Sequence, residues 1–176
     1  MSFCPLDYRY GCQEFKHIWS EVGRHERQLE VERALIWAHM QLGRVSQADY
    51  DIVASIANPT SVTKERVSEI EAETRHDIMA LTKAMAEAAG EAGWCIHLGA
   101  TSNDIVDTAV ALQLRDSIVM LREQLCLLIG VCSRTPAISA AFSAEELEAM
   151  FDPANHIGVS GELVDECVAL ARAAIK

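Results

Sequence analysis

The stretch that decides the fold runs from 62 to 89, VTKERVSEIEAETRHDIMALTKAMAEAA. Val67, Ile70, Thr74, Ile78, Leu81 and Met85 recur at three- and four-residue spacing, which lines up one apolar stripe on an α-helix. Gly90 follows, a residue at which helices commonly stop. The spacing therefore predicts a single amphipathic helix over 62–89 with Arg75, His76 and Asp77 in its middle. At ~100° per residue His76 lies about 200° round the axis from Thr74, on the polar face. Periodicity alone reads that face as solvated. Its alternative is a guanidinium and an imidazole placed together to hold a carboxylate or phosphate.

Helical periodicity continues on both sides. Residues 18–43, IWSEVGRHERQLEVERALIWAHMQLG, place Val31, Leu35, Ala38 and Leu42 on one stripe and end at Gly43, so one helix is expected there. Trp19, Trp37 and Trp94 are read as packing residues, His25 as a surface histidine and His39 as a core one. Beyond 89 the loop GEAGWCIHLGA leads to Thr101 and Ser102 and a long helix over about 103–131. Thr101 with Asp104 fits a capping box, and a helix start with free N–H groups suits an anion, although an ordinary N-cap explains the same residues. Residues 125–132, LCLLIGVC, are apolar on every side and call for burial by other elements. Ser133 to Pro136 read as a break, Ser143 with Glu146 as the capping box of a short helix, and FDPANHIGVSG as a connector. A last helix from near Ser160 carries Val164, Val168, Ala171 and Ile175 on one face.

The sum is an all-α chain long enough for a real core, 50% hydrophobic in 176 residues. Its 26 Asp and Glu against 15 Lys and Arg give a net charge of -11, a mean field that repels nucleic acid and anionic membranes. The opening MSFCPLDYRYGCQEF has no basic leader before an apolar run, and no apolar run reaches the ~18 residues of a membrane helix, so a cytoplasmic protein is expected. Cys4, Cys12, Cys95, Cys126, Cys132 and Cys167 form no CxxC pair, which reads as reduced thiols rather than a zinc site or a disulfide framework.

Four blocks, LDYRYG at 6–11, the 18–43 segment, EIEAETRHDIMAL, and WCIHLGATSNDIVDTAVALQLRD, together resemble the N-terminal third of the adenylosuccinate lyases, a branch of the fumarase and aspartase superfamily. SAEELEAMFDPANHIGVSGELVDECVA resembles the C-terminal domain of the same enzymes. The resemblance implies a superfamily-like N-terminal helical domain over 1–98, a truncated central domain of one long helix over 99–136, and a C-terminal-domain-like segment over 137–176. It also implies elimination of fumarate from adenylosuccinate, or from the related carboxamide intermediate of purine synthesis, without a cofactor. Arg9 and Tyr10 match the family's nucleotide-binding pair. Arg75, His76 and Asp77 match its substrate-contacting triplet, with His76 a candidate general acid. Thr101 and Ser102 match the pair that holds the substrate's anionic end.

The family's mobile loop, Ser-x-x-Met-Pro-x-Lys-x-Asn, has no counterpart: none of Pro5, Pro59, Pro136 and Pro153 is followed two residues later by Lys. Its Thr-x-x-Gln-x-Ala-x-Pro stretch is missing too, because between about Leu125 and Ala137 the sequence passes from the first central helix to the C-terminal segment. In the family, central helices of several subunits form one bundle and each site draws on three subunits. The single remaining helix leaves Val106, Val110, Leu114, Val119, Leu121, Leu125, Leu128 and Ile129 needing cover, each worth about 1.5–3 kcal/mol when fully buried. The expectation is a chain that keeps part of a binding site, turns over little alone, and associates with a second copy or a full-length relative. Two other readings stay open: a non-catalytic module that binds a nucleotide or a subunit, and a different lyase of the superfamily.

Overall fold

The computed structural model describes residues 12–152, 155, 161–162, 164–166 and 168–169. Among these every regular element is a helix: α1 (Gln13–Ile18), α2 (Glu21–Gln41), α3 (Gln47–Ile56), α4 (Lys64–Thr74), α5 (Asp77–Ala89), a 3-10 segment (Gly90–Cys95), α6 (Ser102–Arg134), α7 (Pro136–Ala141) and α8 (Ala144–Phe151). The chain divides into two compact units, residues 1–120 and 121–176.

In the first unit α2, α3 and α4 start where short polar side chains take up free N–H groups. Ser20 accepts from Gly23, Ser46 from Asp49 and Thr63 from Arg66. The Ser20 cap splits the helix expected over 18–43: α1 ends at Ile18 and α2 begins at Glu21. Gly23 is required by this junction, because a Cβ there would sit 2.1 Å from the His17 carbonyl oxygen. Gly43 and Gly90 close α2 and α5 with positive φ, as the sequence leads one to expect. The segment 47–56 carried no expectation and forms α3, which packs on α2 and α5 and buries Val53 completely.

The core gathers Leu29, Ile36, Val53, Val62, Ile78, Leu81, Met85 and Ile105, all essentially removed from solvent. Ile70, Ile78, Leu81 and Met85 of the deciding stripe are buried, with Val67 and Thr74 half-buried, so the stripe itself holds. On α2 it is displaced. Val31 is buried and Leu35 half-buried, but Ala38 and Leu42 face solvent, and the buried face instead runs His25, Leu29, Glu32, Ile36 and His39. Apolar periodicity missed this face because three of its members are polar residues with internal partners. His25 Nε2 lies 2.7 Å from the Val62 carbonyl and His39 Nε2 2.7 Å from that of Leu98, while Glu32 pairs with His97. His25 is thus a core residue, not a surface one, and His39 is buried as expected. The three tryptophans are each about half exposed rather than packed inside, at 46%, 49% and 58% for Trp19, Trp37 and Trp94. Trp19 still donates its indole N–H to Ser117 on the first half of α6, and Arg27 pairs with Asp116 at 2.7 Å.

The second unit consists of the end of α6 with α7, α8 and helical residues between 161 and 169. Pro136 opens α7 and Ser143 with Glu146 forms the expected reciprocal capping box of α8. No described residue beyond Met120 is buried. Leu121, Leu125, Leu127, Leu128, Ile129 and Val131 are 40–62% exposed, so the all-round apolar segment of α6 is not covered as its composition demands. A cavity of about 600 Å³ lies against Ile129, Phe142, Leu147 and Phe151. No helix of the described residues is long and apolar enough to cross a membrane. Most of the connector after Asp152, together with Ala171 and Ile175, lies outside the described residues.

Candidate functional site

The expected uninterrupted helix over 62–89 is broken at the triplet. Arg75 adopts the left-handed conformation, φ 52° and ψ 34°, and closes α4 with its N–H on the Glu71 carbonyl. An L residue with a Cβ there costs roughly 1–2 kcal/mol. His76 is extended and caps α5: its Nδ1 accepts the Met79 N–H at 3.3 Å. Asp77 Oδ1 accepts the Ile78 N–H at 2.7 Å. The break lets Ile70 and Ile78 point into one core from two helices that pack on each other.

The geometry assigns each side chain a chemistry. With its Nδ1 lone pair committed to the backbone, a neutral His76 carries its proton on Nε2 and presents an N–H outward. The Arg75 guanidinium is exposed and makes no hydrogen bond or ion pair with any described residue, which leaves its planar fork free for a carboxylate or phosphate. Asp77 turns toward a polar cleft of about 130 Å³ shared with Arg24, His25, Gln28, Lys64, Ser68 and Glu71. In that cleft Lys64 and Arg24 both hold Glu21 at 2.8 Å, and the Lys64 hydrogen bond is the main reason its carboxyl titrates below the usual range. Burial pushes His25 below the ordinary imidazole value.

Thr101 and Ser102 stand at the start of α6. The Thr101 N–H donates to Asp104 Oδ2 at 2.9 Å, one half of the expected box, while the Asp104 N–H returns to the Thr101 backbone carbonyl and not to its hydroxyl. Beside them is an apolar hollow of about 310 Å³ between α2 and α6, lined by Val31, Leu35, Gly99, Ala100, Ile105 and Thr108. Among the described residues no hydrogen bond joins the triplet to Thr101 or Ser102; of the triplet Asp77 lines the polar cleft, while the residues flanking Thr101 and Ser102, Ala100 and Asp104, line the apolar hollow. Arg9 and Tyr10 lie outside the described residues.

Sequence reading missed what fastens the loop before Thr101. Glu32, wholly buried, accepts from the His97 backbone N–H at 3.1 Å and faces its Nδ1 at 2.6 Å. His39 holds the next carbonyl, that of Leu98, with its own Nδ1 buried and unpartnered. His97 and Gly99 both take positive φ, 60° and 72°. A signal was available: Glu32 sits three residues after Leu29 and four before Ile36, a charge in the middle of an apolar stripe. Such a residue is buried only with a partner.

No protein-family model matches the chain. An adenylosuccinate lyase from Pyrococcus abyssi is 46% identical over 125 residues, 71% of this chain and 28% of that protein. One from Archaeoglobus fulgidus is 54% identical over 117 residues, 66% and 26%. The crystal structure of a fumarate lyase from Mesorhizobium matches the fold with a TM-score of 0.62 at 26% identity, over 70% of this chain and 30% of that one. This chain belongs to the adenylosuccinate lyase and fumarase superfamily. The 3-carboxy-cis,cis-muconate lactonizing enzyme from Pseudomonas putida, another solved structure with this fold, gives a TM-score of 0.68 at 26% identity over 74% and 31%. The chain spans under a third of the length of the curated relatives it matches.

Proposed function

We propose that this chain carries one wall of an adenylosuccinate lyase site: it binds the anionic end of a purine nucleotide or dicarboxylate through Arg75 and His76, and its own turnover is slight. The observation that carries the reading is the Arg75 guanidinium, held in a strained backbone at a helix junction and left without a described partner, beside an outward Nε2–H of His76. Strain kept at one position is a reason to look for function there. Relatives named adenylosuccinate lyase, at 46–54% identity, support the substrate class.

Thr101 and Ser102 complete the reading as the second anion-holding pair, and Arg9 and Tyr10 as the nucleotide pair. No hydrogen bond among the described residues links the triplet to Thr101, and on this reading each group belongs to a site that other subunits complete. That fits the division into an N-terminal domain over 1–98, one central helix over 99–136 and a C-terminal segment over 137–176, with the bare apolar half of α6 as the contact to a second copy or a full-length relative. The site is cytoplasmic on this reading and needs no cofactor. Removal of a general acid or base typically costs about 10²–10⁴ in rate, so absence of the Ser-x-x-Met-Pro-x-Lys-x-Asn motif from these residues supports weak turnover. Two measurements test the reading. AMP added to labelled protein should move the backbone signals of Arg75, His76 and Ile78, and fumarate release from adenylosuccinate should stay near background. Signals that do not move, or ordinary turnover, would overturn its two halves separately.

The exposed apolar half of α6 favours a second reading, a subunit-binding module without chemistry. It predicts association with no nucleotide response.

A further inference from the structure

Glu32 is the least expected residue of the interior. It has 0% exposure, lies outside the triplet and outside the capping residues, and spends both carboxylate oxygens on one residue, His97. A carboxylate is buried without a cation only where fixed donors replace its water. Here those donors are the His97 backbone N–H and, at 2.6 Å, its ring Nδ1. The other ring nitrogen, Nε2, has no hydrogen-bond partner among the described residues and is not sealed from solvent. His97 is also held at positive φ, so its backbone and its ring are fixed by one side chain from α2.

We propose that Glu32 is a positioning residue: it dictates the tautomer of His97, keeping the proton on Nδ1 and presenting the Nε2 lone pair outward, and it fixes the loop 96–101 that ends at Thr101. Opposite tautomers then stand in the two candidate regions. His76 turns a donor outward, because its Nδ1 accepts from the backbone, whereas His97 turns an acceptor outward, because its Nδ1 donates. One proton lies between the Glu32 and His97 groups. Burial pushes the Glu32 carboxyl up, and the two bonds from His97 oppose that rise.

Replacement of Glu32 by Gln makes the idea sharp. A carboxylate accepts both bonds, but an amide has one acceptor and one donor end. In Glu32→Gln the amide oxygen keeps the His97 backbone N–H, its NH₂ faces Nδ1, and the ring must move its proton to Nε2. Long-range ¹H–¹⁵N spectra of the full chain at alkaline pH, where the rings are neutral, read this directly. Wild type should show His97 with a protonated Nδ1 and a bare Nε2, and Glu32→Gln the reverse, with faster exchange of the His97 amide. A bare Nδ1 in wild type overturns the proposal whether or not the variant folds, and so does an unchanged tautomer in a folded variant. Only the consequence for ligand rests on the nucleotide reading: the AMP dissociation constant should change severalfold in Glu32→Gln and not in Glu30→Gln. Wild type that fails to bind AMP ends the nucleotide reading and leaves the tautomer result to decide this one. Equal AMP affinity in a tautomer-swapped variant would show that Glu32 does not position a ligand group.

Discussion

The two units treat apolar residues in opposite ways. In residues 1–120 even charged and polar groups are enclosed, with Glu32 at 0% and His25 at 4% exposure, because each finds a fixed partner. In residues 121–176 leucines stand in the open, Leu127 at 62% and Leu125 at 53%. One contains a finished core. The other holds helices, one of them opened by a full capping box, and no described buried residue. Capping and helix propensity are satisfied locally, whereas burial needs a partner surface, so the second unit is locally complete and globally unfinished.

That contrast can be broken first at the level of assembly. If the open half of α6 meets a second copy, light scattering after size exclusion should find an oligomer, and the double substitution Leu125→Glu with Leu128→Glu should leave a helical monomer. A wild-type monomer would mean that the face needs no cover. The next effect in size separates the units by stability. Leu81→Ala, in the closed core, should cost about 2–5 kcal/mol in denaturant unfolding, whereas Leu127→Ala should stay within about 0.5 kcal/mol in the monomeric background. Equal losses would erase the distinction.

A smaller effect lies in pH. Burial depresses His25, so in the folded chain it resists protonation relative to its ordinary value of 6.5. The sign follows: its contribution is fully present above the unfolded value and is lost as pH falls from there through the folded value. The denaturation midpoint of wild type should therefore drop on acidification below about pH 6.5, a loss that His25→Gln shares only in part. The smallest expected change is at Arg75. Arg75→Gly relieves a left-handed residue and should stabilise by about 0.5–1 kcal/mol, while it removes the guanidinium on which ligand binding is proposed to depend. Stability and binding moving in opposite directions would mark Arg75 as kept for a ligand.

Much of this was legible from residue spacing, and the failures have a common cause. The stripe from Val67 to Met85 is read correctly because its members are apolar and nothing but packing decides their side. The break inside it was not legible. It depends on one residue, Arg75, adopting a conformation that no residue type there announces, and on a histidine serving as a cap. The α2 face was displaced for the converse reason: His25, Glu32 and His39 are buried through partners that lie 37 to 65 residues away, and no local pattern encodes such distances. The apolar character of 125–132 was evident, and what it lacks is a neighbour within this chain. The triplet and the Thr101–Ser102 pair stood out as possible anion holders from residue type and position, their roles and the Arg9–Tyr10 pair came through resemblance, and the fastening of the loop before Thr101 became visible only when Glu32 was seen to be enclosed.

Calorimetric titration of the full chain with AMP tests the central claim most directly. A saturable heat by millimolar nucleotide, lost in Arg75→Ala while the far-ultraviolet spectrum is unchanged, is what the account predicts. No heat at that concentration, or the same heat from the variant, would contradict it.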